Sequence, residues 1–466
     1  MFQKVLIARR GEAAARVART CKRLGIDAVA LFSEAAESVH VEACDVAKEV
    51  QAEDGRVATA DVLAAAREAG VDAVYPGYAS YTAHQELARL FEAEGLPFVG
   101  LDPDLLDLVR DRIRFREVCD AAGVQPVPGG PAESLSDAYD LAHQIGFPVL
   151  VKGPLASMGV GLHLARDEEE LKPAWEAARA KVAEGPLVVE RRIDRARDIE
   201  VLVAADSHGE ESAFTECETS IVSEGRGLLR ECPSPELVFR TDGEALREMM
   251  YDLAIRLTRQ LAHIGVLGVR MLVDPDGRIY VRGARLGLPN LHGAPEMVTQ
   301  LDLVELQLRL ASGEPVPDEV RQLQPSGHAV TVQVLAEEDA QRRESVEVLR
   351  FPSLPQRTTR VEPSVAEGTN VPPDDWPRLA KITCFAPIRH QSILTLDRVL
   401  AATQAPPMKT NVPTLRRVLI HEGFRAGQYD CDLVDALMAE QEKPKPAPES
   451  KPKPRSRSRS RSKPKR

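Results

Sequence analysis

An α/β fold of several units is predicted for this 466-residue chain: an open parallel sheet first, α+β units after it, and a disordered basic tail. Three observations carry this reading. Strand-sized apolar runs alternate with helix-length segments through the first hundred residues, a spacing that implies parallel pairing in an open sheet. Further along, strands come in pairs joined by tight turns, as antiparallel hairpins do. The last two dozen residues hold almost nothing apolar to bury and cannot offset the entropy of ordering.

VLIA (5–8) is a short strand, Arg10-Gly11 a turn, and 12–24 a helix with Val17, Cys21 and Leu24 on one face. AVALF (28–32), helix 60–69, strand 72–75, the turn Pro76-Gly77, helix 84–94 and strand 97–99 complete the first unit. The stretch GVQPVPGGP (123–131) marks a boundary. FPVLVK (147–152) and PLVVERRI (186–193) are strands, and IEVLVAAD (199–206) opens a hairpin through Ser207-His208-Gly209. Asp274-Pro275-Asp276-Gly277 turns a second hairpin between VLGVRMLV and RIYVRG. Helices are expected over 168–183, 243–262 and 299–312, and short strands with a late helix from 327 to about 435.

With aromatics at 4%, packing must rest on Leu, Val and Ala. No run of eighteen uncharged apolar residues occurs, and the start MFQKVLIARR leads directly into a strand, so neither a membrane span nor a signal peptide is expected. The seven cysteines are scattered without a C-x-x-C pair, which argues against a disulfide framework and a zinc site and for the cytoplasm. The net charge of −11 hides two regions: residues 443–466 carry +10 and the remaining body −21. A body that acidic is not expected to bind nucleic acid by itself. Two readings of the Arg-Ser run (455–462) stay open: it binds nucleic acid or another anionic partner by counterion release, or it is a solubilising tail.

The opening KVLIARRGEAAARVARTCKRLGIDAVALFS, then YPGY (75–78), LPFVG (96–100), FPVLVK and VVERRI (188–193) occur in order. DGRIYV (276–281), GHAV (327–330), TRVE (359–362), NVPP (370–373) and KTNV (409–412) follow. The ordered set, across about residues 2–425, resembles the biotin carboxylase subunit of acyl-CoA carboxylases. The resemblance implies an N-terminal α/β domain (1–122), an ATP-grasp domain (123–322, with its lid at about 131–206) and a C-terminal domain (323–440), leaving the tail at 441–466. It also implies a reaction in which bicarbonate attacks the γ-phosphate of Mg-ATP and the resulting CO2 passes to biotin on a carrier protein.

Several side chains match what that chemistry uses. Lys152 stands at the family's phosphate-contacting lysine, and Arg112 replaces a second one, keeping charge but changing geometry. Glu190, Arg191 and Ile193 occupy the hinge whose backbone meets the purine, and Asp198 replaces a histidine near the ribose. Arg360 in TRVE matches the arginine that steadies the biotin enolate, and His292 is read as structural.

Other positions depart from the family. The lid loop, glycine-rich in the family, reads Gly153-Pro154-Leu155-Ala156-Ser157-Met158-Gly159-Val160-Gly161; Pro154 deletes a donor, and Leu155 and Met158 add bulk. The magnesium ligands, a glutamate from each of two adjacent strands and an asparagine, fall on Met271, Gly283 and Arg285. The arginine, glutamine and general-base glutamate fall on Gly287, Pro289 and Leu291, and a bicarbonate-binding loop on Val222, Gly225 and Gly227. Met408-Lys409 belongs to the KTNV segment, not to a biotinylation site.

The resemblance with these departures implies a biotin-carboxylase-like protein of impaired catalysis, a structural or regulatory partner in acyl-CoA-carboxylase-type complexes. ATP is expected to bind weakly, magnesium binding is in doubt, and no covalent biotin is expected. Expected partners are an identical chain, a carboxylase subunit in a mixed dimer, or a biotin carrier protein. The alternative is an active ATP-dependent biotin carboxylase or related ligase with a rearranged site.

Overall fold

Val5, Leu6 and Ile7 are fully buried in succession, so the first strand is covered on both faces, as parallel sheets require. The computed structural model describes residues 1–33, 38–53, 56–78, 81–155, 161–182, 184–223, 225–337, 346–352, 355, 357–369 and 377–442. In it, Lys4–Ile7 pairs in parallel with Asp27–Phe32 on one side and Ala73–Tyr75 on the other, and Val46–Glu49 extends the sheet. Val5 and Ile7 pack with helix Gly11–Leu24. Leu6, Val29 and Val74 pack with the opposite layer, formed by helices Thr59–Ala69 and Tyr81–Ala93. The expected strand at 97–99 is reduced to one bridge, Val74 to Phe98.

Two antiparallel sheets follow. The smaller runs in the order Gly129–Ala132, Leu187–Arg191, Val149–Lys152, Leu162–Ala165. Val149, Val151, Leu187 and Val189 bury one face against helices Leu135–Ile145 and Glu168–Arg179. By alternation, Lys152 and Glu190 project from the other face. The larger sheet has eight strands in the order 279–286, 265–273, 197–205, 211–218, 229–232, 328–335, 378–386, 359–363. It runs without a break into the C-terminal third, because Leu229–Cys232 pairs with His328–Leu335.

The C-terminal core, around Val332, Ile382, Leu396 and Val418, is closed by four helices within 389–442 where one late helix was expected. The helix expected at 299–312 is two, Gly293–Thr299 and Leu303–Ala311, separated at Gln300, whose φ is +60°. Expectations for 156–160, 370–373 and the basic tail lie outside the described residues.

Candidate nucleotide-binding cleft

The floor of the cleft is one face of strands Arg197–Ala205, Gly265–Val273 and Ile279–Leu286. On their other face Val201, Val269, Met271, Val273 and Val281 pack in a common core. Alternation therefore turns Asp198, Glu200, Gly268 and Arg270 to the cleft. The hairpin register breaks between Arg270 and Met271: Arg270 faces Gly283, while Met271 faces Val281. Arg282 is the additional residue of this bulge, and bulges re-aim side chains. It joins Gly283 and Arg285 on the cleft side.

This corrects one expected position. Two ligands from adjacent strands must share a face, and the residue opposite Gly283 is Arg270. Met271 is fully buried on the far side. The corrected set of guanidinium, hydrogen and guanidinium at Arg270, Gly283 and Arg285 offers no oxygen donor. A divalent cation takes hard oxygen ligands, so this set does not fit one. Among the described residues, no group of three or more His, Cys, Asp or Glu converges.

The guanidiniums are held by two carboxylates. Asp198 Oδ2 accepts from Arg270 and, at 2.6 Å, from Arg282. Glu200 Oε1 accepts from Arg285 Nε at 2.9 Å, and its other oxygen contacts Arg230. Gly268 lets Glu200 lie flat, since a Cβ there would stand 2.5 Å from Oε1. Burial acts to raise both carboxyl pKa values, but the arginines outweigh it, lowering Asp198 and holding Glu200 at about 2. Burial lowers the Arg270 pKa, and repulsion from Arg282 and Arg285 adds to it. Asp198 Oδ1, Arg230 Nε and Nη1, and Arg270 Nε are buried with no hydrogen-bond partner among the described residues.

Above the floor, Lys152 Nζ donates to Glu190 Oε2, and Arg116 lies 3.4 Å from Glu190 Oε1. Burial lowers the Lys152 pKa, with Arg112 and Arg282 pushing the same way against Glu190, so the lid and floor charges act on one another. Arg112 donates to the Gly153 carbonyl at 2.6 Å and to that of Leu155, tying helix Arg112–Ala121 to the start of the lid loop. At the hinge, the Arg191 amide donates to Pro128 O at 2.8 Å, and its side chain is exposed. The Ile193 amide has no backbone acceptor among the described residues.

Where the family resemblance places bicarbonate and biotin, Leu291 is buried, and Gly287 has a φ of +76° that a side chain would strain. At Gly227 an added Cβ would meet nothing within 4 Å. His292 is fully buried, contacts Pro289 O at 3.0 Å, and is kept neutral by burial and by Lys381, its pKa pushed down to about 3. Arg360 donates to Glu296 Oε2, whose other oxygen accepts from Arg16 at 2.6 Å. This ties the C-terminal strand to the first helix. The same junction holds fully buried Lys381 between Glu12 and Glu362 at 3.2 and 3.1 Å.

Sequence reasoning singled out Lys152, Glu190 and Asp198, which the fold brings to one cleft, and Arg112 at its rim. It missed Arg116, Glu200, Arg230, Arg270 and Arg282. For Arg270 the signal was present: in VLGVRMLV only the arginine breaks the apolar run, and a buried strand turns such a residue to its open face.

Parallel sheet, lid and continuous antiparallel sheet together define an ATP-grasp protein. Residues 1–106 match the biotin carboxylase N-terminal domain, 111–319 the carbamoyl-phosphate synthase L chain ATP-binding domain, and 334–436 the biotin carboxylase C-terminal domain. The chain is 34% identical over 441 residues to the biotin carboxylase of Halalkalibacterium halodurans, covering 92% of this chain and 96% of that one. To biotin carboxylase 2 of Bacillus subtilis it is 32% identical over 446 residues, covering 93% and 99%. Among solved structures, the biotin carboxylase domain dimer of Hydrogenobacter thermophilus 2-oxoglutarate carboxylase, in complex with MgADP, ADP and bicarbonate, superposes with a TM-score of 0.84. Its identity is 27%, with 94% of this chain and 98% of that one covered. The chain belongs to the biotin carboxylase family. No helix among its described residues is long and apolar enough to cross a membrane.

Proposed function

We propose that this chain retains a nucleotide in the cleft but does not carboxylate biotin, and serves as a structural or regulatory partner in acyl-CoA-carboxylase-type assemblies. The observation that carries the reading is Arg270 directly opposite Gly283, with Arg285 on the same face. Attack by bicarbonate brings an anion onto a triphosphate, and a metal normally neutralises the charge that develops. Guanidiniums can neutralise phosphate oxygens, but they cannot accept the bicarbonate proton. Neither can Leu291. The Lys152–Glu190 pair and the Arg191–Ile193 hinge support nucleotide retention. Domain limits of 1–122, 123–322 and 323–440 go with this reading.

The Hydrogenobacter relative is a dimer, and other relatives are alpha subunits of methylcrotonoyl-CoA and propionyl-CoA carboxylases. Self-association, or a mixed dimer with an active biotin carboxylase subunit, is the corresponding mode here. The test is bicarbonate-dependent ATP hydrolysis with magnesium and free biotin. No turnover above the protein-free rate is expected, and turnover comparable to an active biotin carboxylase overturns the proposal. A second reading, an ATP-dependent ligase with a rearranged site, is favoured by the retained Lys152–Glu190 pair. It requires nucleotide binding that magnesium strengthens.

A further inference from the structure

Among the described residues of the cleft, cations outnumber carboxylates. On the floor, Arg230 and Arg285 contact Glu200, and Arg270 and Arg282 share Asp198. On the lid side, Lys152 and Arg116 share Glu190, and among the described residues the Arg112 side chain donates to backbone carbonyls. Like charges packed this closely with too few counter-charges are costly unless a further anion joins them. Arg230 is 3% exposed, and two of its nitrogens lack hydrogen-bond partners among the described residues. Burial is the first cause of the lowered pKa values of Arg270, Arg112 and Lys152, and repulsion from neighbouring arginines adds to it, while Asp198 raises that of Arg282.

A nucleoside triphosphate free of metal carries about four negative charges at neutral pH, and its magnesium chelate about two. Guanidiniums bind phosphate oxygens through paired donors, and the chelated metal occupies those same oxygens. We propose that this cleft binds a nucleoside di- or triphosphate in its magnesium-free form, the Arg270, Arg282 and Arg285 guanidiniums standing where the divalent cation would. The inference rests on the reading that the cleft retains a nucleotide. It adds that magnesium opposes binding. The lid lysine and the arginines take the phosphates, and the Arg191–Ile193 backbone faces the base.

The test is calorimetric titration of the full chain with ATP, ADP and inorganic tripolyphosphate, in EDTA and in excess magnesium at matched ionic strength. ATP is expected to bind in EDTA, and magnesium to weaken it at least about tenfold, the loss of one or more charge-assisted contacts. Arg270→Gln and Arg285→Gln, each with a parent-like melting curve, are expected to weaken ATP in EDTA about tenfold and to shrink the magnesium effect. Binding that requires or is strengthened by magnesium overturns the proposal while leaving nucleotide retention standing. Tripolyphosphate binding as tightly as ATP overturns the nucleoside assignment. No binding of any ligand in either buffer sinks both this inference and nucleotide retention, whereas the carboxylation reading is judged separately by turnover.

Discussion

Glu200→Gln is the most informative single substitution in the floor. Glu200 is fully buried, and Arg230, its partner, is 3% exposed. Arg285 and Arg270 also act on it. Burial raises its pKa, yet the arginines hold it at about 2 against an ordinary 4.5, a difference worth about 3 kcal/mol of stability. Removing the charge also strands a buried guanidinium, for which truncation data indicate about 3–5 kcal/mol. The two figures describe the same interaction and are not added. The sign follows from the depressed pKa: the stabilisation is complete above pH 4.5 and fades as pH falls toward 2. Urea unfolding followed by circular dichroism should show the variant about 3 kcal/mol less stable at pH 7. Its pH dependence should be flatter below 4.5. Glu200→Leu with Arg230→Met should recover much of the loss, because an apolar pair of similar volume avoids desolvating two charges. A Gln variant within about 0.5 kcal/mol of the parent, the spread of ordinary surface changes, would refute the argument.

Arg16→Ala should cost about 3–5 kcal/mol, since it leaves buried Glu296 with the Arg360 guanidinium and the Leu303 amide; Arg360→Ala, at the half-exposed end of the same pair, should cost less. Reversal of that order in denaturant melts would show Arg360 to be the main partner. His263 and His292, whose pKa values burial pushes down to about 4 and about 3, resist protonation when folded. Stability should therefore fall as pH drops from 6.5 toward 4, and replacing both with Gln should flatten that limb in urea titrations. Arg112→Ala frees the Gly153 and Leu155 carbonyls. Faster amide exchange around 153–155 is the expected readout, and unchanged exchange would mean the loop is held by other contacts.

Where periodicity and turn chemistry act locally, the elements were legible. The hairpin turns at Ser207–Gly209 and Asp274–Gly277 lie where their residues place them, between Arg197–Ala205 and Glu211–Glu218 and between Gly265–Val273 and Ile279–Leu286. What escaped was register. A bulge at Arg282 and Gly283 cannot be read from RIYVRG, because only pairing with the neighbouring strand shows which residue is additional. That one-residue uncertainty exchanged Met271 for Arg270 and hid the arginine cluster, since a slip of one moves every side chain to the opposite face. Arg230 escaped for a different reason: its partner Glu200 lies on another strand, and no local pattern pairs them.

The same register supports a test by addition. Gly283 is open: a Cβ added there would meet no atom of the described residues within 4 Å, and its φ is not positive, so the position accepts a side chain without strain. Directly opposite stands Arg270, and cross-strand neighbours place their Cβ atoms about 5 Å apart. Arg270→Glu with Gly283→Glu would thus set two carboxylates side by side, facing the cleft, while Asp198 keeps Arg282 and Glu200 keeps Arg230 and Arg285. The charge of the floor falls by three, and two hard oxygen donors appear where none stood. Calorimetry should then show magnesium strengthening ATP binding instead of opposing it. Carboxylation should stay absent, because Leu291 still offers no base. A folded double variant in which magnesium continues to weaken ATP would mean that this face of the sheet does not meet the phosphates, and the placement of the nucleotide over Arg270 and Gly283 would be wrong.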